Sequence, residues 1–204
     1  MKTVKYLMLF LGVLCLCTKM QAQALVDTAL VEMALVEMAR ADVEMYDIPQ
    51  VESLVEPGIV RSRYNTAYPK SWEVKDASLT NGQGSINFFI VRLQGKQQKD
   101  ESANTFHDKK THEGIAKGFE AEYTASSYFR TADGKNVLRI DMRRKKGIRE
   151  DYVCVYFVQL SSSLMVSSTA VVPASGFPDT DAFQEAVGKY LVLYDAMVKN
   201  IARR

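Results

Sequence analysis

The sequence predicts an α+β fold: a six-stranded, mostly antiparallel sheet with helices packed on both faces, preceded by an N-terminal helical extension. Three observations carry this expectation. Asn81-Gly82 and Asp133-Gly134 each separate two strand-like runs, and such dipeptides suit tight hairpins because these residues tolerate positive φ. Residues 152–158 read YVCVYFV, apolar throughout, which is the pattern of a central strand covered on both faces. Phe183, Val187, Tyr190, Leu191, Tyr194, Met197 and Ile201 recur at three- and four-residue spacing, the single apolar stripe of an amphipathic helix.

Taken in order, the chain opens with an address. Lys2 and Lys5 precede an apolar run over 6–17, and Ala22-Gln23-Ala24 follows as a small-x-small cleavage pattern. These are the three parts of a secretory signal, with cleavage expected after Ala24. The run is shorter than the roughly 20 apolar residues that cross a bilayer. Leu14 and Leu16 stand before Cys15 and Cys17 where lipoprotein processing wants a small residue, so a lipid anchor is disfavoured. Cleavage removes Lys2, Lys5 and Lys19 and no acid, which turns the net charge of +2 into −1. It leaves Cys154 as the one thiol and no internal disulfide.

Residues 25–46 carry a repeat, ALVEM at 29–33 and again at 34–38, after a degenerate copy at 24–28. Its residues favour helix. A five-residue period advances a helix by about 500°, so Asp27, Glu32, Glu37 and Asp42 do not share a face. Two readings stand: a helix that docks on a partner or membrane surface, and a tandem duplication tolerated near a terminus. Pro49, Pro57-Gly58 and Pro69 then break the periodicity, so 47–63 reads as a linker and 64–204 as the globular domain.

Within that domain the strand-like runs are 72–79, 86–93, 123–131, 136–144, 152–158 and 164–172. In the fourth, Leu138, Ile140 and Met142 alternate with Arg139, Asp141 and Arg143, which predicts one wet face. A helix is expected over 109–122, and a closing helix from Asp181, with Gln184 as its capping-box partner, to about 202.

This order of elements, with Tyr68-Pro69-Lys70-Ser71-Trp72 entering the first strand and Ile86-Asn87-Phe88-Phe89-Ile90-Val91 forming the second, resembles the PsbP/Mog family over residues 64–202. The resemblance implies a helix–sheet–helix sandwich and a non-catalytic binding or accessory role. No partner-binding residue of that family carries over, because no matching motif is present. A cystatin-like or NTF-like sheet is the alternative fold.

The chain has 204 residues, 26 Lys plus Arg, 24 Asp plus Glu and 47% hydrophobic residues, the composition of an ordinary globular domain. Its near-neutral charge argues against a nucleic-acid binder. Arg139, Arg143, Arg144, Lys145, Lys146 and Arg149 concentrate cations on one hairpin. They are the candidate partner-binding residues, for an envelope protein or an anionic surface, against the plainer reading of a solvated hairpin protected from edge aggregation. His107, Asp108, His112 and Glu113 are weak metal candidates, because a spacing of five turns the two imidazoles about 140° apart on a helix. Cys154, in mid-strand, reads as an inert buried thiol. No catalytic motif is present, no cofactor is expected, and Trp72 reads as a core anchor rather than a carbohydrate platform. The mature chain has no transmembrane segment. These features favour a secreted or periplasmic, non-enzymatic binding or accessory module of the cell envelope. The alternative is a small-molecule-binding or hydrolytic enzyme with a pocket between sheet and helix.

Overall fold

The computed structural model describes residues 42–51, 59–60, 63–75, 77–92, 106–147 and 149–203. The signal segment and the ALVEM repeat lie outside the described residues. The element order is β1 (Val43–Asp47), β2 (Gln50–Val51), β3 (Ile59–Val60), β4 (Tyr64–Pro69), β5 (Glu73–Lys75), β6 (Ser78–Thr80), β7 (Ser85–Arg92), α1 (Lys109–Gly118), β8 (Glu122–Arg130), β9 (Asn136–Lys146), β10 (Arg149–Gln159) and β11 (Leu164–Val172). A single 3-10 turn (Ala174–Gly176), α2 (Thr180–Lys199) and β12 (Ala202–Arg203) complete it.

The expected six-stranded α+β sheet with helices on both faces is not what forms. Among the described residues the protein is mostly β, with two helices and two sheets. The larger has nine strands in the order β3-β2-β7-β11-β10-β9-β8, with β5 and β6 branching from β7. Its ladders are antiparallel except for β2 beside β7. The smaller sheet has three strands in the order β1-β4-β12. The end of the expected helical extension is corrected too: Val43–Asp47 is a strand, paired antiparallel with β4, while residues 25–41 lie outside the described residues. The stretch read as a linker supplies β2 and β3. The physical reason is simple. Short strands of two to five residues show too few alternations to reveal a period, and helix-favouring composition at 24–42 hides the change.

β10 is central, between β9 and β11. Its β-branched and aromatic residues suit a pleated strand. Successive side chains alternate: Tyr152, Cys154, Tyr156 and Val158 enter one core, and Val153 and Val155 enter the other. The first core also holds Phe183, Val187, Tyr190, Tyr194 and Met197 of α2 together with Tyr46, Ile48 and Tyr68 of the small-sheet region. One face of the large sheet is therefore covered by α2 and the small sheet jointly. The second core is smaller, with Leu138, Ile140 and Met142 against Ala116, Ile115 and Phe119 of α1 and its end.

α2 begins at a cap. The Asp179 side chain accepts from the Ala182 amide at 2.8 Å, so the cap lies two residues before the expected Asp181, which sits in the first turn instead. At the other end the Thr66 hydroxyl donates to the Met197 carbonyl at 2.5 Å, fastening β4 to the last turn of the helix. Trp72 is buried, edge-on to Tyr190 and Tyr194 with centroids 6.1 Å apart in each case. No helix among the described residues is long and apolar enough to cross a membrane.

Candidate functional site

The polar face of β9 is where the sequence expectation and the structure part most clearly. Arg139, Asp141 and Arg143 lie on the side of the sheet covered by α2; Arg139 and Asp141 are turned away from water, and Arg143 is half-buried at the start of the helix. Arg139 is 13% exposed and donates to Asp195 of α2 at 2.7 Å. It also pairs with Asp141 at 3.0 Å, and its second terminal nitrogen donates to the Ser127 hydroxyl at 3.3 Å. Tyr152 donates to Asp141 at 2.5 Å and Tyr156 to Asp195 at 2.9 Å. Burial opposes the Arg139 cation, yet the Asp195 and Asp141 carboxylates hold its pKa above the ordinary guanidinium value. Burial raises the Asp195 carboxyl against the pull of Arg139. Burial likewise raises the phenols of Tyr152 and Tyr156. These contacts join β8, β9, β10 and α2 through one guanidinium and two carboxylates.

Among the described side chains, the other cations of the hairpin make separate contacts. Arg144 pairs at 3.2 Å with Asp151, whose other oxygen accepts from the Ala174 amide and so anchors the 3-10 turn. Arg143 lies over the rings of Tyr152 and Phe183, 5.7 and 5.9 Å from their centroids, and donates to the Gln184 side chain at 3.1 Å. That last contact occupies the residue expected to complete a capping box. Lys145 is exposed. Lys146 and Arg149 pair in the β9–β10 ladder, and their side chains lie outside the described residues. Of the four candidates whose side chains are described, Arg139 and Arg144 are held in internal ion pairs, Arg143 is packed on two rings and Lys145 is exposed.

The metal candidates are separated as well. Asp108 caps α1, accepting from the Lys110 amide at 3.2 Å and the Thr111 hydroxyl at 3.0 Å, which lowers its pKa, the hydroxyl contributing most. Glu113 faces Lys109 at 3.6 Å, and His107 is exposed. His112 is buried, with Nδ1 2.9 Å from the Ser126 hydroxyl and its ring beside Tyr123. Among the described residues no group of three or more His, Cys, Asp or Glu is placed to hold a metal ion. Cys154 is fully buried, and burial raises its thiol pKa.

Two clefts flank the N-terminal half of α2. The larger, about 390 Å³, lies between the helix and the Asn81–Gly84 turn. Phe177, Ala182, Ala186 and Leu193 supply its apolar lining, and Asn81, Gln83 and Tyr190 its polar groups. Glu185 and Lys189 form a 2.7 Å ion pair at its edge. The turn is held in place. The Asn81 side-chain oxygen accepts from the amides of Gln83 and Gly84, and its nitrogen donates to the Tyr190 hydroxyl at 2.8 Å. Gly82 at φ +86 makes the turn. Gly84 serves a different purpose: a Cβ there would lie 2.6 Å from Tyr190 Cε1 and from the Tyr194 hydroxyl. The close approach of turn to helix depends on its missing side chain. The second cleft, about 270 Å³, lies at the start of α2 and is lined by Arg143, Glu150, Asp179, Thr180 and Phe183 among others.

No family model and no curated protein matches the chain. Sequence reasoning missed Asp195, Asn81 and Gly84 as site-building residues. The N-G-Q-G spacing at 81–84 carried a signal, because a second glycine just after a complete two-residue turn has no local role and points to a tertiary one.

Proposed function

We propose that the mature chain is a non-enzymatic binding or accessory module of the cell envelope, exported under residues 1–24, that holds a protein partner through the larger cleft beside α2. The cleft itself carries this reading. It joins an apolar lining to a fixed set of amide and phenol groups, and the hydrogen bond between Asn81 and Tyr190 organises it in advance. An apolar side chain of a partner fits the lining formed by Ala186 and Leu193, while the exposed Gln83 side chain offers an amide to a partner backbone. The basic hairpin is the weaker contact, since Arg139 and Arg144 are engaged in internal ion pairs. The volume of the cleft also falls in the range of small-molecule sites, so a small amphipathic ligand is the second reading.

The test uses the mature chain 25–204 and two variants, Leu193→Arg in the cleft and Lys145→Glu on the hairpin, each checked for unchanged thermal unfolding. Stoichiometric capture of one envelope protein by the native chain and by Lys145→Glu, with loss in Leu193→Arg, supports the reading. Capture lost in Lys145→Glu and kept in Leu193→Arg moves the contact to the hairpin. A rise in melting temperature with a small ligand, abolished by Leu193→Arg, favours the second reading. N-terminal sequencing of the exported chain should begin at Leu25.

A further inference from the structure

We propose that the smaller cleft, at the start of α2, is a separate site for a small zwitterion bearing one carboxylate and one ammonium group, the chemistry of a free α-amino acid. Arg143 is its central group. The guanidinium is fixed by the Tyr152 and Phe183 rings and by one hydrogen bond to Gln184. Among the described residues its remaining N–H groups meet no acceptor. A planar fork already held against aromatic faces loses little freedom when a carboxylate arrives and binds it in bidentate fashion.

The same cleft is lined by two carboxylates, Glu150 and Asp179. Asp179 spends one oxygen on the helix cap, and its other oxygen has no partner among the described residues. Glu150 is exposed. One cation and two anions around one space discriminate between ligands. A simple anion gains from Arg143 and is repelled by the two carboxylates; a simple cation gains from the carboxylates, is repelled by Arg143 and leaves its guanidinium without an acceptor. A ligand carrying both charges satisfies both sides at once. Phe183 and Ala174 give the wall an apolar part for a side chain, and a space of about 270 Å³ suits a single amino acid. This site shares no lining residue with the larger cleft, so its failure and that of the partner-binding reading are independent.

The experiment is calorimetric titration of the mature chain 25–204 with the common free L-amino acids. Each binder is then repeated as its N-acetyl derivative and its carboxamide, with acetate as the bare anion. The expected result is saturable binding of at least one free amino acid, weakened about tenfold or more when either end is blocked. Arg143→Gln should weaken it similarly. Asp179→Asn should do so too, and it is the cleaner variant, because asparagine caps a helix as well as aspartate does and the fold is kept. Three results overturn the proposal: no free amino acid binds; the N-acetyl derivative or acetate binds as tightly as the free acid; or Asp179→Asn combined with Glu150→Gln leaves binding unchanged.

Discussion

Arg139 and Asp195 stand 56 residues apart in the chain and meet at 2.7 Å beneath the second half of α2. Asp141 shares the same guanidinium at 3.0 Å, so the cluster holds one cation between the buried Asp141 carboxylate and the largely covered Asp195 carboxylate. Removing the cation leaves two neighbouring anions with only the phenol hydrogen bonds of Tyr152 and Tyr156 to offset them. Arg139→Met should therefore destabilise the fold by about 3–5 kcal/mol in urea unfolding. A cycle with Asp195→Asn should show favourable coupling of about 0.5–3 kcal/mol. Additive losses would mean that the pair makes no joint contribution.

Alkaline pH should unfold the protein cooperatively. Burial raises the phenols of Tyr152, Tyr156 and Tyr194 above their ordinary value of 10.0. In the unfolded chain they lose their protons near that value, whereas in the native state they keep them. Their contribution is fully present below about pH 10 and is lost as pH rises beyond it, by about 1.4 kcal/mol per pH unit for each tyrosine. Tyr156→Phe should flatten this slope. Phenolate absorbance that appears well before loss of structure would contradict the account.

Gly84→Ala should cost about 1–3 kcal/mol, the range for overpacking, because the new methyl meets the Tyr190 ring at 2.6 Å. It should also abolish partner binding, since the Asn81–Tyr190 hydrogen bond sets the distance between turn and helix. Gly114→Ala is the control. It lies inside α1 with open space around it, and it should gain about 0.5–1 kcal/mol. Thermal unfolding of the two variants should thus shift in opposite directions.

Cys154 should resist thiol reagents in the native state. It is wholly buried in β10, with its pKa raised by burial. Labelling under native conditions should proceed at the rate of unfolding, and stoichiometric labelling on addition of denaturant. Rapid native labelling would place the thiol at an opening that the structure does not have.

Elements with long, regular periods are legible in the amino-acid sequence. The apolar run at 152–158 lies within β10, and the stripe from Phe183 to Met197 lies along α2. The turns at Gly82 and Gly134 have the positive φ that their dipeptides suggest. The expected strand over 72–79 instead divides into β5 and β6, with Ala77 at φ 60 between them, which no propensity in the sequence announces. The small sheet is not legible, because β12 has two residues and β1 five, too few to display alternation.

Where the longer strands and the long helix form, which turns are tight, and that residues 139–143 alternate charged with apolar are all dictated locally. Those properties come from backbone preferences and side-chain spacing acting over a few residues. Three others arise only when the chain packs: the charged side of that alternation lies on the face covered by α2, Arg139 finds Asp195, and Gly84 admits Tyr190. Alternation shows which residues share a face of a strand. What covers that face depends on segments distant in the chain, and the energies of burial and ion pairing are set only once those segments meet.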